Sequence, residues 1–145
     1  MTQAQEELTK VQSLLRQIKS EWIKQYELKQ KATSTATYMG GNERVQTSMK
    51  YDKIASMAVK ILEKERYIES LLAEYEKEKK QVGKYLSKLR KPKERDILQL
   101  VYFKDFTITQ YAQYRGMTFP GAWLLHKRAL QNISEIYEKS TCGTK

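Results

Sequence analysis

The sequence of 145 residues has little of what many functional sites require. Its single cysteine, Cys142, excludes an intramolecular disulfide and any zinc cluster built from several cysteines. Because His126 is the single histidine, we expect no metal ion ligated by histidines. No apolar run approaches the roughly 18 residues that a membrane span requires, and the N-terminus has no apolar segment typical of a secretion signal. We therefore expect a cytoplasmic protein without membrane anchor, metal or cofactor.

Sequence motifs for catalysis are missing as well. Gly40 and Gly41 have neither the preceding strand nor the following Lys-Ser/Thr of a phosphate-binding loop. The carboxylates of residues 74–78 alternate with lysines, which is typical of a solvated helix face with pairs such as Glu76–Lys80. These patterns predict that the protein is not an enzyme.

Positive charge is what the sequence has in excess. The chain holds 27 Lys and Arg against 17 Asp and Glu, a net charge of +10. Such a charge favours a polyanionic partner, nucleic acid first, although solubility of long charged helices is an alternative explanation. The excess is spread along the chain, at +2 in residues 1–31, +1 in 32–51, +3 in 52–90 and +4 in 91–145.

Hydrophobic periodicity predicts an all-α fold. Apolar residues recur at steps of three and four between Gln5 and Lys31, which predicts one amphipathic helix. The positions of this stripe are Leu8, Val11, Leu15, Ile18, Trp22 and Tyr26. A polar segment rich in Thr and Ser follows and predicts a loop over residues 32–51.

A second, longer helix is predicted from Asp52 to Arg90. Its stripe alternates steps of four and three without a slip, which is the spacing of a coiled coil. The positions are Ile54, Ala58, Ile61, Glu65, Ile68, Leu72, Tyr75, Lys79, Val82, Leu86 and Leu89. The first helix could pair with it as an antiparallel hairpin within residues 1–90, or the long helix could pair between two chains as a homodimer.

Three shorter helices are predicted after Lys91, within a module of residues 91–139 that a flexible tail of 140–145 follows. Pro92 starts the first, Thr107 caps the second, and Gly116 ends it before Thr118 caps the third. Residues 107–130 have the pattern of a helix-turn-helix, in which Ala112 lets the two helices cross closely. An ordinary αα-corner is the alternative.

This module resembles a known family in three segments, KPKERDILQLVYF, TITQYAQYRGMT and AWLLHKRALQNI. They are similar to the C-terminal promoter-reading domain of sigma factors. Together with the heptad helix and YMGGNERVQTS, residues 35–137 are similar to small phage late transcription activators of the RinA/ArpU type and to related streptococcal phage regulators. The resemblance implies a bacteriophage transcription regulator that binds promoter DNA, acts in the bacterial host cytoplasm and activates late genes with host RNA polymerase.

Candidate DNA-binding residues follow from the predicted module. If Ala122, Leu125 and Ala129 face inward, the other side of the last helix faces the major groove. Cationic side chains there and beside the module would neutralise phosphates. The candidates are Lys91, Lys93, Arg95, Arg115, Thr118, Phe119, Trp123, His126, Lys127 and Arg128.

The start of the last helix leaves a second function open. Phe119, Pro120, Trp123 and Leu124 are apolar, so they can contact thymine methyl groups but cannot form hydrogen bonds with base edges. The alternative is therefore an interaction protein that imitates a sigma module and binds RNA polymerase or another host factor without specific DNA readout. A purely structural coiled coil is a third and weaker alternative.

Overall fold

The computed structural model describes residues 2–38 and 47–142, and the surroundings of side chains in 2–34 and 51–140. These residues form five helices: α1 (Gln3–Tyr38), α2 (Thr47–Leu86), α3 (Pro92–Leu98), α4 (Ile108–Arg115) and α5 (Phe119–Cys142). The described part of the chain is helical over most of its length and contains no strand, so the all-α prediction is confirmed. Among these helices, none combines the length and the apolar character needed to cross a bilayer.

Both long helices are longer than the sequence predicts, because each continues into the predicted loop between them. The predicted loop of 32–51 differs from the structure because α1 continues to Tyr38 and α2 already begins at Thr47. Thr33 shows one reason, since its hydroxyl donates to the carbonyl of Lys29 at 2.9 Å and is satisfied inside the helix. The Gly40-Gly41 pair lies outside the described residues.

The end of α2 also differs from the prediction. The helix stops at Leu86 rather than Arg90, and the backbone N–H groups of Lys88 and Leu89 donate to the carbonyls of Tyr85 and Leu86 in a tight turn. Pro92 then occupies the first turn of α3, as predicted, because its missing N–H has no partner to lose there. At the other end, α5 reaches Cys142, so residues 140–142 of the predicted tail are helical.

The chain divides into two compact units. We call Met1–Arg16 together with Glu74–Lys145 the terminal unit, and Gln17–Ala73 the middle unit. The first 16 residues thus belong with the C-terminal part of the chain, a division that the sequence did not predict.

The terminal unit contains most of the buried apolar side chains. They come from α1, α2, α3 and α5 and include Leu8, Val11, Val82, Leu86, Ile97, Leu98, Ala122, Ala129 and Ile133. Two contacts tie the beginning of α1 to α5: the hydroxyls of Thr2 and Ser134 lie 2.9 Å apart, and Tyr137 donates to Glu7 at 2.6 Å. The Tyr137 ring stacks on Tyr85 of α2 at 3.9 Å, and burial raises the pKa of its phenol far above the usual range.

The end of α3 is a π-helical turn, Gln99–Phe103, held by α1 and α2. Gln12 of α1 donates to the carbonyl of Val101 at 3.2 Å, and Tyr75 of α2 donates to that of Phe103 at 3.2 Å. The chain then breaks at Asp105, whose φ is +58°. Its carboxylate accepts a hydrogen bond from Arg16 at 3.0 Å, so a side chain of α1 fixes this left-handed residue.

In the middle unit, burial follows a different stripe of α1 from the predicted one. Ile18 is buried as expected, but Trp22 and Tyr26 are 48% and 63% exposed. Four residues turn a helix by about 40° more than one full turn. Two such steps therefore shift Trp22 by about 40° and Tyr26 by about 80° around the helix axis, away from the buried side. Glu21 takes the buried position instead, and its carboxylate accepts hydrogen bonds from Lys64 at 2.7 Å and Lys24 at 3.3 Å.

Candidate nucleic-acid interface

The last three helices surround a small core within the terminal unit. Both α3 and α4 pack against α5. Ala122 and Ala129 of α5 are fully buried, and Tyr111 and Ala112 of α4 are nearly so. The inward side of α5 is therefore lined by small residues that allow close approach of the neighbouring helices.

Side-chain and backbone caps define the two helices around the turn. The Thr107 hydroxyl accepts a hydrogen bond from the Gln110 N–H at 3.1 Å, and the Gln110 side chain accepts one from the Thr107 N–H at 2.9 Å. Gly116 ends α4 at φ +67°, a conformation that a side chain disfavours. Thr118 then caps α5, because its hydroxyl accepts from the N–H of Gly121 at 3.3 Å. The predicted roles of Thr107, Gly116 and Thr118 as helix boundaries are thus observed.

The outward side of α5 combines aromatic and cationic side chains. Phe119, Trp123 and Leu124 are 50%, 48% and 43% exposed. Lys127 and Arg128 are exposed about one turn after Trp123 and Leu124, and the Lys127 ammonium lies 5.3 Å from the centre of the Trp123 ring. Residues 106–134 contain no Asp or Glu, so this surface, which we call the α5 face, has a positive charge of its own.

Arg115 is held inside the module. Its guanidinium donates two hydrogen bonds to Asp96 of α3, at 2.9 Å and 2.7 Å. The Tyr111 hydroxyl donates to the same carboxylate at 2.8 Å, and burial together with this carboxylate raises the pKa of Tyr111 to about 12. The charge of Arg115 is neutralised at the end of α4, where it joins α4 to α3.

His126 is also satisfied within the protein. Its Nε2 lies 3.0 Å from the hydroxyl of Tyr102, and the two rings stack with their centres 5.7 Å apart. Burial lowers the pKa of His126 below its usual 6.5, so the imidazole is neutral at pH 7. A neutral ring adds no charge to the α5 face.

The three candidates at the start of α3 form a separate group. Lys91 and Lys93 are exposed, and Arg95 is half-buried. Between them lies Glu94, which is 2% exposed and accepts hydrogen bonds from Asn132 at 2.8 Å on both oxygens. Of the predicted residues, Phe119, Trp123, Lys127 and Arg128 lie together on α5, with Thr118 as their helix cap.

The sequence did not reveal the hydrogen-bond partners of two candidate residues, Arg115 and His126. Asp96 and Tyr102 are 19 and 24 residues away from Arg115 and His126, so no local spacing links them. Sequence reasoning also missed a basic segment, residues 79–93, which contains seven Lys and Arg and no acid. That segment could have been found by counting charges between Glu78 and Glu94.

Comparison with protein families, with curated proteins and with solved structures finds no match for this chain. Any functional conclusion therefore rests on the chain's own residues.

Proposed function

We propose that the protein is a transcription regulator that binds duplex DNA through α4 and α5 as a helix-turn-helix. The observation that supports this most is the α5 face. It lies at the exposed start of α5, in a segment without acidic residues, and a short turn that begins at Gly116 connects it to α4. An α-helix with its side chains is about 10–12 Å across, which suits a major groove about 12 Å wide. The phage-type resemblance supports activation of late genes with host RNA polymerase.

Each exposed group on the α5 face has a role in this proposal. Lys127 and Arg128 neutralise phosphates, and no carboxylate among the described residues competes for them. Phe119 and Trp123 contact thymine methyl groups, while the Lys127 ammonium above the Trp123 ring keeps that aromatic surface next to a positive charge. Arg115 acts indirectly, since its bonds to Asp96 keep α4 in place.

Fluorescence anisotropy of labelled duplexes tests the proposal. Promoter duplexes from upstream of the gene and scrambled duplexes of equal length are titrated at several salt concentrations. A preference of about 10³ or more for the promoter, with a steep salt dependence, is expected for a specific regulator. Equal binding to both would exclude specific readout by this chain alone.

The double variant Lys127→Ala/Arg128→Ala tests the α5 face. We expect weaker binding and a log–log salt slope that falls by about 0.9 for each lost phosphate contact. Lys53→Ala/Lys60→Ala, which removes two exposed charges from the middle unit, is the matched control. Unchanged affinity and slope in the first variant would contradict the assignment.

A second candidate function is an interaction protein that binds RNA polymerase or another host factor without reading DNA. The observation in its favour is the exposure of Phe119, Trp123 and Leu124, because exposed aromatic side chains are enriched at protein interfaces. Co-purification with host polymerase from nuclease-treated lysate, lost in Phe119→Ala/Trp123→Ala, would support it. Association that requires DNA would contradict it.

Dimerisation through the long helix stays a prediction. Ile68 and Tyr75 of its apolar stripe are buried within the chain itself. A second copy would therefore contact exposed positions of α2, such as Tyr51 and Leu62, which are 61% and 49% exposed. Sedimentation equilibrium of the wild type and of Tyr51→Ser/Leu62→Ser measures whether such a dimer forms.

A further inference from the structure

A row of four lysines lies on the outward side of α2 and of the turn that follows it, in the terminal unit. Lys77, Lys80 and Lys84 follow each other at steps of three and four residues, so they share one side of α2, and Lys88 lies in the turn that follows Leu86. All four are exposed. From Lys77 to Lys84 the helix rises by about 10 Å at 1.5 Å per residue, and we call the four lysines the lysine row.

The lysine row has a concave shape and a rigid support. Together with Gln81, Tyr85 and Ser140 of α5, its side chains line a groove of about 540 Å³. Tyr85 at this groove is fixed by stacking on Tyr137, and the Lys88 ammonium lies 5.4 Å from the Tyr85 ring. Val82 and Leu86, on the opposite side of this helical segment, are buried.

Among the described residues, no carboxylate forms an ion pair with the lysine row, although Glu76 lies four positions before Lys80 on α2. The carboxylate of Glu78 lies 3.1 Å from the ammonium of Lys10, and that of Glu74 lies 4.0 Å from the same ammonium. Further along, residues 79–93 contain no acid at all. Like charges at these spacings repel each other and destabilise a helix, so the row is an arrangement that solubility alone does not explain.

The terminal unit is the more basic of the two units, which favours a polyanion as the partner. It has 17 basic and 10 acidic residues, a net +7, whereas the middle unit has 10 basic and 7 acidic residues, a net +3. Duplex DNA presents one phosphate per 3.4 Å of helix axis on each strand, and successive phosphates wind around the axis, so a straight row of lysines can contact a few of them. Lysines are flexible point charges that fit such a contact without base specificity.

We propose that the lysine row binds the sugar–phosphate backbone of duplex DNA as a second contact surface besides the α5 face. This inference rests on the proposed DNA-binding function and assigns to that function a site at the other end of α5, beside Ser140. The row supplies affinity and salt dependence, while the α5 face supplies the contacts to bases.

The test compares two variants of α2 with the same change and the same spacing. Lys77→Gln/Lys84→Gln removes two charges from the row, and Lys53→Gln/Lys60→Gln removes two exposed charges seven residues apart in the middle unit. Gln has a helix propensity close to that of Lys, and circular dichroism checks that both variants keep their helix content. Both are titrated into the labelled duplexes used above, at several salt concentrations.

We expect Lys77→Gln/Lys84→Gln to bind every duplex about tenfold more weakly and to lower the salt slope by about 1.8, with the promoter preference unchanged. The control variant should keep nearly the wild-type slope. A wild-type slope in the row variant, or an equal loss in both variants, overturns the inference. So does a row variant that loses binding only to vesicles of anionic lipid.

Failure of the inference and failure of the proposed function are distinguishable. If the wild type binds no duplex, both are overturned. If Lys127→Ala/Arg128→Ala weakens binding and Lys77→Gln/Lys84→Gln does not, only the lysine row is overturned. If the row variant alone weakens binding, the inference stands and the α5 face is overturned.

Discussion

The two units of the molecule differ in how much apolar surface they bury. Of the described hydrophobic residues that are buried, only Ile18, Ile68 and Leu71 belong to the middle unit. Of the large hydrophobic side chains that are exposed, seven belong to it, including Trp22 and Tyr51. The amount of helix in a unit therefore does not indicate how stable that unit is. Helices in proteins gain most of their stability from the packing of an apolar side.

The largest expected effect is a cavity in the core of the terminal unit. Ile133 of α5 is fully buried, so Ile133→Ala should lower the free energy of unfolding by about 2–5 kcal/mol. Ile68→Ala in the middle unit should have a smaller effect, because its exposed surroundings can relax into the space. Urea denaturation followed by circular dichroism measures both, and equal losses would contradict the comparison.

A buried carboxylate in the terminal unit gives the next effect. Asn132 donates to both oxygens of Glu94, so Asn132→Ala leaves a buried charged group without this partner. We expect a loss of about 2–3 kcal/mol in the free energy of unfolding, measured by urea denaturation. Gln131→Ala on the exposed side of α5 is the control and should change little. A partial recovery in Glu94→Gln/Asn132→Ala would confirm that the charge causes the loss.

The two units should respond to acid in different pH ranges. Burial holds the pKa of His126 below 6.5, so the unfolded chain binds more protons and the terminal unit loses stability as the pH falls below 6.5. Lys64 holds the pKa of Glu21 below 4.5, so this stabilisation of the middle unit is present above pH 4.5 and is lost as the pH falls through the lowered pKa.

Substitutions separate these two pH ranges. His126→Gln should flatten the dependence of the urea midpoint on pH between about 7 and 5, and Lys64→Gln should flatten it only below about 4.5. A wild-type pH profile in His126→Gln would show that another group titrates in the upper range.

The smallest effect is expected at an exposed ion pair of the middle unit. Lys29 and Glu65 lie 3.7 Å apart with about half of each side chain exposed. Since solvent screens such pairs, Lys29→Ala should change the free energy of unfolding by less than about 0.5 kcal/mol in urea denaturation. A loss above about 1 kcal/mol would mean that the middle unit depends on its surface charges.

The parts of the fold that local chemistry determines could be predicted from the sequence. Thr107, Gly116 and Pro92 mark helix boundaries because each satisfies or removes a backbone group within a few residues. The buried positions of α2 at Ile68, Tyr75 and Val82 follow from their period. On α1 the period was misleading at Trp22 and Tyr26, because Glu21 with its partner Lys64 takes the buried side.

The parts that depend on distant partners could not be predicted. Asp105 adopts its left-handed conformation beside Arg16, and the π-helical turn is bonded to Gln12 and Tyr75, all far away in sequence. The same holds at the candidate interface, where Asp96 neutralises Arg115 and Tyr102 holds His126. The aromatic and cationic residues of the α5 face needed no such partner, so their exposure could be expected from helix period alone.

The pairing of Glu7 with Tyr137 has a consequence for synthesis on the ribosome. These residues are 130 positions apart, and Thr2 and Ser134 are 132 apart. Thr2 and Glu7 must wait for α5 to be translated before they reach these partners, whereas pairs of the middle unit such as Glu21 and Lys64 are translated much earlier. Such late closure is slow because contacts of high sequence separation carry a large entropy loss. During that delay the first turns of α1 lack these contacts to α5, so chaperones and proteases can reach them more readily than in the folded protein.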